Sequence, residues 1–287
     1  MGKIVLTGST GALGSKVLRY LFEFGVNSKD IIISVYNPNG GEILFLISSI
    51  TINNEKRTAE HRNAIDAAIN VGIKHIYYTS SSIGDTRDVE IMRAHLNTED
   101  LLKSSPIKYT IIREEFYSEV FPLFLGHFDA KTTNEIVIPA DGGIPFVARD
   151  DLAEATAKIL IEPTNIYQNK TILLTGSRLY TLKETALIVS KILDRQIPIK
   201  IVSLDEYINR NLKNQNEVWV RIWATIYLAL QRGDLSQIDK TLEKILQRSP
   251  KSFEQTIKEM LTEKDTDDKE TQINNKYIQA STFNNKT

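Results

Sequence analysis

Short apolar runs rich in isoleucine and valine alternate with amphipathic helical patterns through the first 160 residues of the chain. Such runs are typical of strands buried on both faces, and patterns with a period near 3.6 residues are typical of helices that cover a sheet. The alternation predicts an α/β fold built on a parallel sheet. Predicted strands cover residues 3–7, 31–35, 43–47, 74–79 and 109–113, and predicted helices cover residues 12–24, 54–71 and 89–104.

The pattern becomes more helical after residue 160, and we expect three parts along the chain. They are a sheet domain over 1–160, a small, mostly helical domain over 161–262 and a flexible, polar tail over 263–287. A predicted helix over 217–230 carries Trp219, Ile222 and Trp223 at helical spacing. Such a stripe can line a substrate pocket, but core packing is the favoured interpretation. Asp234 and Gln237 have the spacing of a capping box for the following helix.

Composition excludes several classes of function. The 287 residues include 35 basic and 36 acidic side chains, so the net charge of -1 favours neither nucleic acid nor an anionic membrane as a direct partner. The absence of cysteine excludes disulfides, thiolate catalysis and sulfur-ligated metals, and the four histidines are too scattered to predict a metal site. No apolar run is long enough to cross a bilayer, and the expected location is cytoplasmic.

A glycine motif lies between the first predicted strand and the first predicted helix. Residues 7–14 read TGSTGALG, with glycines at 8, 11 and 14 and with Ser9, Thr10, Ala12 and Leu13 between them. In a dinucleotide site such glycines permit a tight turn, a close approach to the pyrophosphate and close helix–strand packing. The helix N-terminus offers its N–H groups to the phosphates. The alternative is a purely structural turn.

The end of the second predicted strand does not distinguish NAD from NADP. An acidic residue there would favour NAD, and Arg or Lys would favour NADP, but residues 33–38 contain neither. Tyr36 is a candidate for stacking on adenine, and a surface aromatic residue in a turn is an equally good interpretation.

Several segments together resemble the NmrA-like branch of the atypical short-chain dehydrogenases/reductases. They are TGSTGALG (7–14), LFLISS (44–49), EHRNAIDAAINVGIKHIYYTSSS (60–82), AHLNTEDLLKSSPIKYTIIREEFYSE (94–119), PFVARDDLAEATAKIL (145–160) and ILLTGSRLYTLKETA (172–186). The resemblance implies a Rossmann-like, doubly wound parallel sheet, a small C-terminal substrate domain and bound NADP(H), with NAD possible. Some members of this family reduce quinones or dyes, and others are redox sensors that act through a protein partner.

The resemblance also assigns cofactor-binding positions. It implies that Ser48 and Ser49 lie beside the ribose or pyrophosphate of the cofactor, and that Thr79 and Ser80 lie near the nicotinamide. Each is alternatively a small residue that ends a strand. It further implies a place for Tyr117 at the mouth of the substrate pocket, where the family often has Asn at the position of Val120.

The catalytic pair of ordinary short-chain dehydrogenases is absent, because no tyrosine has a lysine four residues later. The corresponding helix carries His95 and Glu99, whose spacing places them on one helix face, so that the carboxylate could hold the imidazole. His95 is therefore the first candidate for a nicotinamide contact or a proton donor, with Tyr117 orienting the acceptor. A hydrogen-bonded structural histidine is the alternative. An electron-poor quinone needs little acid catalysis, so the sequence favours a quinone-like small-molecule acceptor over an alcohol.

Only seven residues separate the second predicted strand from the third, where relatives have about thirty more. Two parallel strands ordinarily need a crossover of about a dozen residues or more. We expect a nearly extended link, the loss of one edge strand with its helices, and an open edge of the dinucleotide site. The alternative is that the sequence lacks a coding segment and that the product binds nothing.

Overall fold

The computed structural model describes residues 2–34, 38–83, 86, 88–213 and 215–262. Its strands are β1 (Ile4–Leu6), β2 (Ile31–Ile33), β3 (Ile43–Leu46), β4 (His75–Ser81), β5 (Lys108–Glu114), β6 (Ile136–Ile138), β7 (Gly143–Ile144), β8 (Lys170–Leu174), β9 (Tyr180–Thr181) and β10 (Ile199–Ile201). Its α-helices are α1 (Gly14–Glu23), α2 (Asn54–Asn70), α3 (Arg93–Ser104), α4 (Phe121–Phe124), α5 (Arg149–Ile161), α6 (Leu182–Ile192), α7 (Leu204–Asn211), α8 (Glu217–Arg232), α9 (Thr241–Leu246) and α10 (Phe253–Thr262). The expected polar tail and Tyr36 lie outside the described residues.

Six strands of the described chain form one parallel sheet in the order β2-β1-β3-β4-β5-β8. The two faces of β1 show why this sheet needs helices on both sides. Ile4 and Leu6 pack into one core with α1, α5 and α9, whereas Val5 packs into a second core with α2 and α3. The predicted Rossmann-like α/β architecture is confirmed.

The short link between β2 and β3 joins strands that lie on either side of β1 in the sheet, and its described residue Gly41 lies against β1. Its glycines permit this, because a Cβ atom added at Gly41 would lie 2.2 Å from Val5 Cγ2. The N–H groups of Glu42 and Ile43 then donate to the carbonyl oxygen of Lys3, which starts β3 beside β1. Among the described residues no helix lies between β2 and β3, and β2 is the sheet edge, with Ile33 58% exposed.

The region over 161–262, which we call the C-terminal lobe, shares segments with the sheet domain over 1–160. β8 follows residue 160 yet completes the main sheet, and β6 precedes it yet pairs with β10. The short strands β6, β7, β9 and β10 are missing from the sequence-based prediction. The two sequence units at 1–160 and 161–262 therefore interleave in space.

Helix α8 ends at Gly233, which has a φ of 81°, but the capping-box prediction after it is wrong. The next helix, α9, begins at Thr241, and the Asp234 carboxylate accepts hydrogen bonds from Arg232 instead. The capping box that does form lies at the start of α6, between Thr181 and Glu184.

Candidate functional site

The glycine motif forms a tight loop between β1 and α1. Gly8 adopts a φ of +62°, and the N–H of Gly11 donates to the Gly8 carbonyl oxygen at 2.9 Å. A Cβ atom at Gly14 would lie 2.2 Å from that same oxygen, so only glycine lets α1 start this close to β1. Leu13 precedes the helix, and among the described residues no side chain caps its first turn. The Ser15 N–H donates to the Gly11 carbonyl oxygen at 3.0 Å, and the N-terminus of α1 lies beside the loop without a side-chain cap from the described chain.

Hydroxyl side chains tie together the strand ends next to the loop. The N–H of Ile47 donates to Thr7 Oγ1, and the N–H of Ser48 donates to Thr79 Oγ1, both at 2.9 Å. The first bond joins the end of β1 to the segment after β3, and the second joins that segment to β4. Ser48, Ser49 and Thr79 are therefore held beside the glycine loop.

His61 on α2 fixes the segment after β3. Its Nε2 accepts the Ser49 N–H at 2.9 Å, so the ring proton lies on Nδ1, which contacts Thr98 Oγ1 at 2.8 Å. Thr98 in turn donates to the carbonyl oxygen of Ala94 at 2.7 Å. Burial, helped by the charge of Arg57, lowers the pKa of His61 to about 4. The imidazole is therefore a neutral hydrogen-bond bridge between α3 and Ser49.

His95, on α3, lines the large cleft described below. Its hydrogen-bond partners differ from the expected Glu99. Its Nε2 lies 2.9 Å from Arg57 Nη2, and its Nδ1 lies 3.2 Å from the Tyr78 hydroxyl. A guanidinium only donates, so Nε2 carries the lone pair and the ring is neutral. Burial and the charge of Arg57 hold the pKa of His95 well below its ordinary value. Both ring nitrogens are thus engaged.

The expected pairing of His95 with Glu99 is wrong. Glu99 accepts hydrogen bonds from Arg113 Nε and Nη2 at 2.8 Å each, from Ser80 Oγ at 2.7 Å and from Lys103. Although burial alone raises the pKa of Glu99, the bonds from Arg113 and Ser80 hold it below its ordinary value. The i,i+4 spacing put the two side chains on one helix, but β5 delivers a stronger partner for the carboxylate.

Two buried carboxyl groups stand at the carboxyl end of β5. Glu114 Oε2 accepts the Tyr117 hydroxyl at 2.7 Å, while its Oε1 has no hydrogen-bond partner among the described residues. Burial raises the pKa of Glu114 to about 7, against the Tyr117 bond and the charge of Arg149. Glu115 Oε1 accepts the N–H of Phe116, and burial raises its pKa to about 7 as well.

A cleft of about 1430 Å³ joins these groups. We call one set of lining residues the glycine wall, formed by Gly8, residues 11–14, Ser48, Ser49 and Thr79. We call a second set the aromatic wall, formed by 114–117, Trp219, Ile222 and Trp223. The Trp219 and Trp223 rings stack at 5.6 Å, and Phe116 meets Trp223 edge to face. Trp223 is also buried in the core of the C-terminal lobe, so the stripe on α8 serves both packing and the cleft.

The structure brings most of the predicted site residues to this cleft. Its lining includes Gly8, Gly11, Ala12, Leu13, Gly14, Ser48, Ser49, Thr79, Ser80, His95 and Tyr117. Ser9 and Thr10 belong to the loop but are not among the lining residues. The other residues of the loop therefore form the part of its surface that faces the cleft.

The sequence-based prediction missed Arg57, Glu114, Glu115 and Arg149, which also line the cleft. A signal existed for the two glutamates, because they follow a predicted strand where open α/β sheets bind ligands. No local pattern marks Arg57 or Arg149. Within the described ranges, no group of three His, Asp or Glu side chains is arranged to hold a metal ion.

The glycine wall fits a dinucleotide. Its inner surface is backbone, a Cβ at Gly11 would approach the Gly8 carbonyl oxygen to 3.2 Å, and the start of α1 lacks a competing side-chain cap. The parallel sheet, the loop between β1 and α1, and the cleft beyond it define a protein of the Rossmann class. The sequence model of the NmrA-like family matches residues 40–271, and the chain belongs to that family.

Two relatives match this chain in sequence over most of its length. An NmrA-like family domain-containing oxidoreductase of Aspergillus flavus is 29% identical over 299 residues, with 91% of this chain and 95% of the relative covered. That alignment exceeds the 287 residues of this chain, so the relative has residues without a counterpart here. Quinone oxidoreductase 2 of Escherichia coli is 30% identical over 70% of this chain and 78% of its own length.

Solved structures carry the same likeness. The NADPH complex of that quinone oxidoreductase has a TM-score of 0.80 at 26% identity, with 90% of this chain and 100% of the other covered. The NADP(H) complex of a Citrobacter triphenylmethane reductase has a TM-score of 0.78 at 26% identity, with 90% and 99% covered. In the part of the chain that the structure describes, no helix is both long and apolar enough to cross a membrane.

Proposed function

We propose that this chain binds NADP(H) along the glycine wall and reduces a small, quinone-like aromatic acceptor held against the aromatic wall. The observation that carries the proposal is the continuity of one cleft from the Gly8–Gly14 loop to Trp219 and Trp223. The NADP(H) complexes of two structural relatives support the cofactor, and the quinone oxidoreductase supports the class of acceptor.

The residues divide into two groups by the part of the reaction they serve. The loop residues Gly8, Ser9, Thr10, Gly11, Ala12, Leu13 and Gly14 hold the pyrophosphate, Ser48 and Ser49 lie toward the ribose, and Thr79 and Ser80 lie toward the nicotinamide. When bound, the dihydronicotinamide supplies a hydride, and the protein supplies binding, orientation and proton control. The aromatic wall orients a flat ring by stacking and edge contacts.

His95 serves this reaction as a positioning residue. Because Arg57 and Tyr78 occupy both of its ring nitrogens, it offers no proton to a reduced acceptor. Tyr117 is the better proton donor, since it lines the cleft as part of the aromatic wall. The preference for NADP(H) over NAD(H) rests on the relatives, and the short link beside β1 predicts an open adenine side with weakened affinity.

Calorimetry with NADPH and NADH, followed by NADPH consumption with a panel of quinones, tests the proposal. We expect binding of NADPH and its consumption in proportion to the quinone reduced. An impaired product that lacks a necessary segment would give no heat beyond dilution. Binding without turnover across the panel would contradict the enzymatic function.

A redox sensor that acts through a protein partner is the second candidate. It is favoured by the missing Tyr-x-x-x-Lys pair and by the engagement of both nitrogens of His95. Such a sensor binds NADPH and NADP⁺ without turnover, and its partner complex responds to their ratio. The quinone panel distinguishes the two candidates.

A further inference from the structure

The strongest unexplained feature of the cleft is the carboxyl group of Glu114. It ends β5, is 5% exposed and lies in the aromatic wall, yet among the described residues it forms no ion pair. The two carboxyl oxygens of Glu114 differ. Oε2 lies 2.7 Å from the Tyr117 hydroxyl, and Oε1 has no hydrogen-bond partner in the described chain. A buried carboxylate is costly in this setting, whereas a carboxylic acid is not.

The groups around Glu114 allow it to hold a proton and to release it. Arg149, at the start of α5, places its guanidinium carbon 4.9 Å from the centre of the Tyr117 ring. The partners of Glu114 in the sheet register are Ser81 of β4 and Leu174 of β8, and neither carries a charge. The adjacent Glu115 bonds to the N–H of Phe116. The nearby cation lowers the cost of a transient carboxylate without a direct salt bridge.

We propose that Glu114 is the proton reservoir behind Tyr117, so that each reduced acceptor receives the Tyr117 hydroxyl proton and Tyr117 takes the Glu114 proton. This role rests on the proposed function. Hydride addition to a quinone leaves one oxygen as an anion. The carboxylate form of Glu114 accepts the Tyr117 hydroxyl, whereas in the protonated form Oε2–H donates to the Tyr117 oxygen across the same 2.7 Å contact. In that form the Tyr117 O–H bond breaks as the acceptor O–H bond forms, and the Glu114 Oε2–H bond breaks as the tyrosine hydroxyl is restored. Glu114 ends as a carboxylate and regains a proton from water.

The chemistry of two acceptors separates this role from a structural one. A quinone needs a hydride and a proton, whereas a cationic triphenylmethane dye is fully reduced by a hydride alone. Glu114→Gln keeps the size and the hydrogen bond to Tyr117 but removes the exchangeable proton. Glu115→Gln is the matched control, because it removes the neighbouring buried carboxyl, which does not contact Tyr117.

The first test is kcat against pH with each acceptor. We expect wild-type quinone reduction to fall as pH rises through about 7, where Glu114 loses its proton. Glu114→Gln should lower kcat with quinone by roughly 100-fold, which lies in the range found for general acid catalysis. The variant should also remove this pH dependence. The same variant should slow dye reduction far less than quinone reduction, and Glu115→Gln should retain the fall of quinone reduction through about pH 7. An equal loss with both acceptors, or an unchanged pH profile with quinone, would overturn the proposal.

The second test needs no turnover. Infrared difference spectra of the cofactor-free protein should show carboxylic acid absorption from Glu114 and Glu115 that disappears as pH rises through about 7. Glu114→Gln should remove the Glu114 share of this band, and Glu115→Gln the remaining share. Persistence of the full band in Glu114→Gln would refute the reservoir. If wild type binds NADPH but reduces neither acceptor, the proposed function fails, and the infrared titration still reports whether Glu114 holds the proton.

Discussion

Burial shifts pKa values in opposite directions at the two walls of the cleft. On the glycine wall, the polar contacts come from backbone N–H groups and from hydroxyls, and burial keeps the supporting histidines His61 and His95 neutral by lowering their pKa values. On the aromatic wall, burial raises the pKa values of Glu114 and Glu115 to about 7 and so favours their neutral acids. The comparison teaches that desolvation, one physical cause, keeps the histidines behind the glycine wall as neutral hydrogen-bonded groups and gives the aromatic wall an exchangeable proton.

The largest expected effect separates two tryptophans of the aromatic wall. Trp223 is 3% exposed and packs edge to face on Phe116 and Phe124, so Trp223→Ala should destabilise the protein by about 3–5 kcal/mol. Trp219 is only partly buried, so Trp219→Ala should mainly raise the KM for the acceptor. Urea unfolding and steady-state kinetics measure the two effects. Equal loss of stability in both variants would contradict the division.

The next effect concerns the two ends of α1. Gly14→Ala forces a Cβ against the Gly8 carbonyl oxygen, so it should cost about 1–3 kcal/mol of stability and abolish NADPH binding. Gly25→Ala at the other end meets no atom within 4 Å and strains only its own φ of +82°. It should therefore lower stability but leave calorimetric NADPH affinity unchanged. Wild-type affinity in Gly14→Ala would show that the loop does not bind the pyrophosphate.

A smaller effect tests the support behind the glycine wall. His61→Leu leaves the Ser49 N–H without its acceptor, which should weaken NADPH binding by roughly tenfold, or about 1.4 kcal/mol. His75 is a matched control, because it is buried and bonds to Thr110 at 2.8 Å, whereas its Nδ1 has no hydrogen-bond partner among the described residues. His75→Leu should lose stability with unchanged NADPH affinity. The same affinity in both variants would remove His61 from the account.

The last effect is spread over several pH units, because the stability of the fold depends on pH in opposite directions at the two walls. The unfolded chain binds a proton at His61 near pH 6.5, but the folded chain does so only near pH 4, so this group destabilises the fold as pH falls through that window. Glu114 is raised from 4.5 to about 7, so it destabilises the fold as pH rises through that window.

Relative to wild type, His61→Leu should therefore gain stability toward pH 4, and Glu114→Gln should gain stability toward pH 7. Each slope should be at most about 1.4 kcal/mol per pH unit. Urea unfolding across this range measures both slopes. Slopes of the same sign would mean that the two walls do not differ as described.

Much of the fold follows from local patterns, because each main strand and helix carries its own periodicity. The glycine loop was predictable for the same reason, since its residues are consecutive and lie between a strand and a helix. The link between β2 and β3 was expected to be nearly extended, but the close contact of Gly41 with Val5 depends on residues far apart in sequence. The pairing of β6 with β10 is equally non-local, and neither short strand has a marked pattern.

The site was less predictable than the fold. Glu99 shares a helix face with His95, yet Arg113 on the neighbouring strand takes its carboxylate. Glu114 and Glu115 resemble solvated charges at a strand end, but the folded chain buries both in a cleft that α8 also lines. His61 is an isolated histidine in sequence, and only folding brings it to Ser49 and Thr98.

The central claim is that hydride passes from NADPH to an acceptor in this cleft. A single-turnover experiment tests it most directly, with protein and NADPH mixed anaerobically with a quinone and NADPH deuterated at the transferable position in parallel. The account predicts one NADPH oxidised for each quinone reduced, with a slower rate for the deuterated cofactor. Bound NADPH that persists beside unchanged quinone would contradict it.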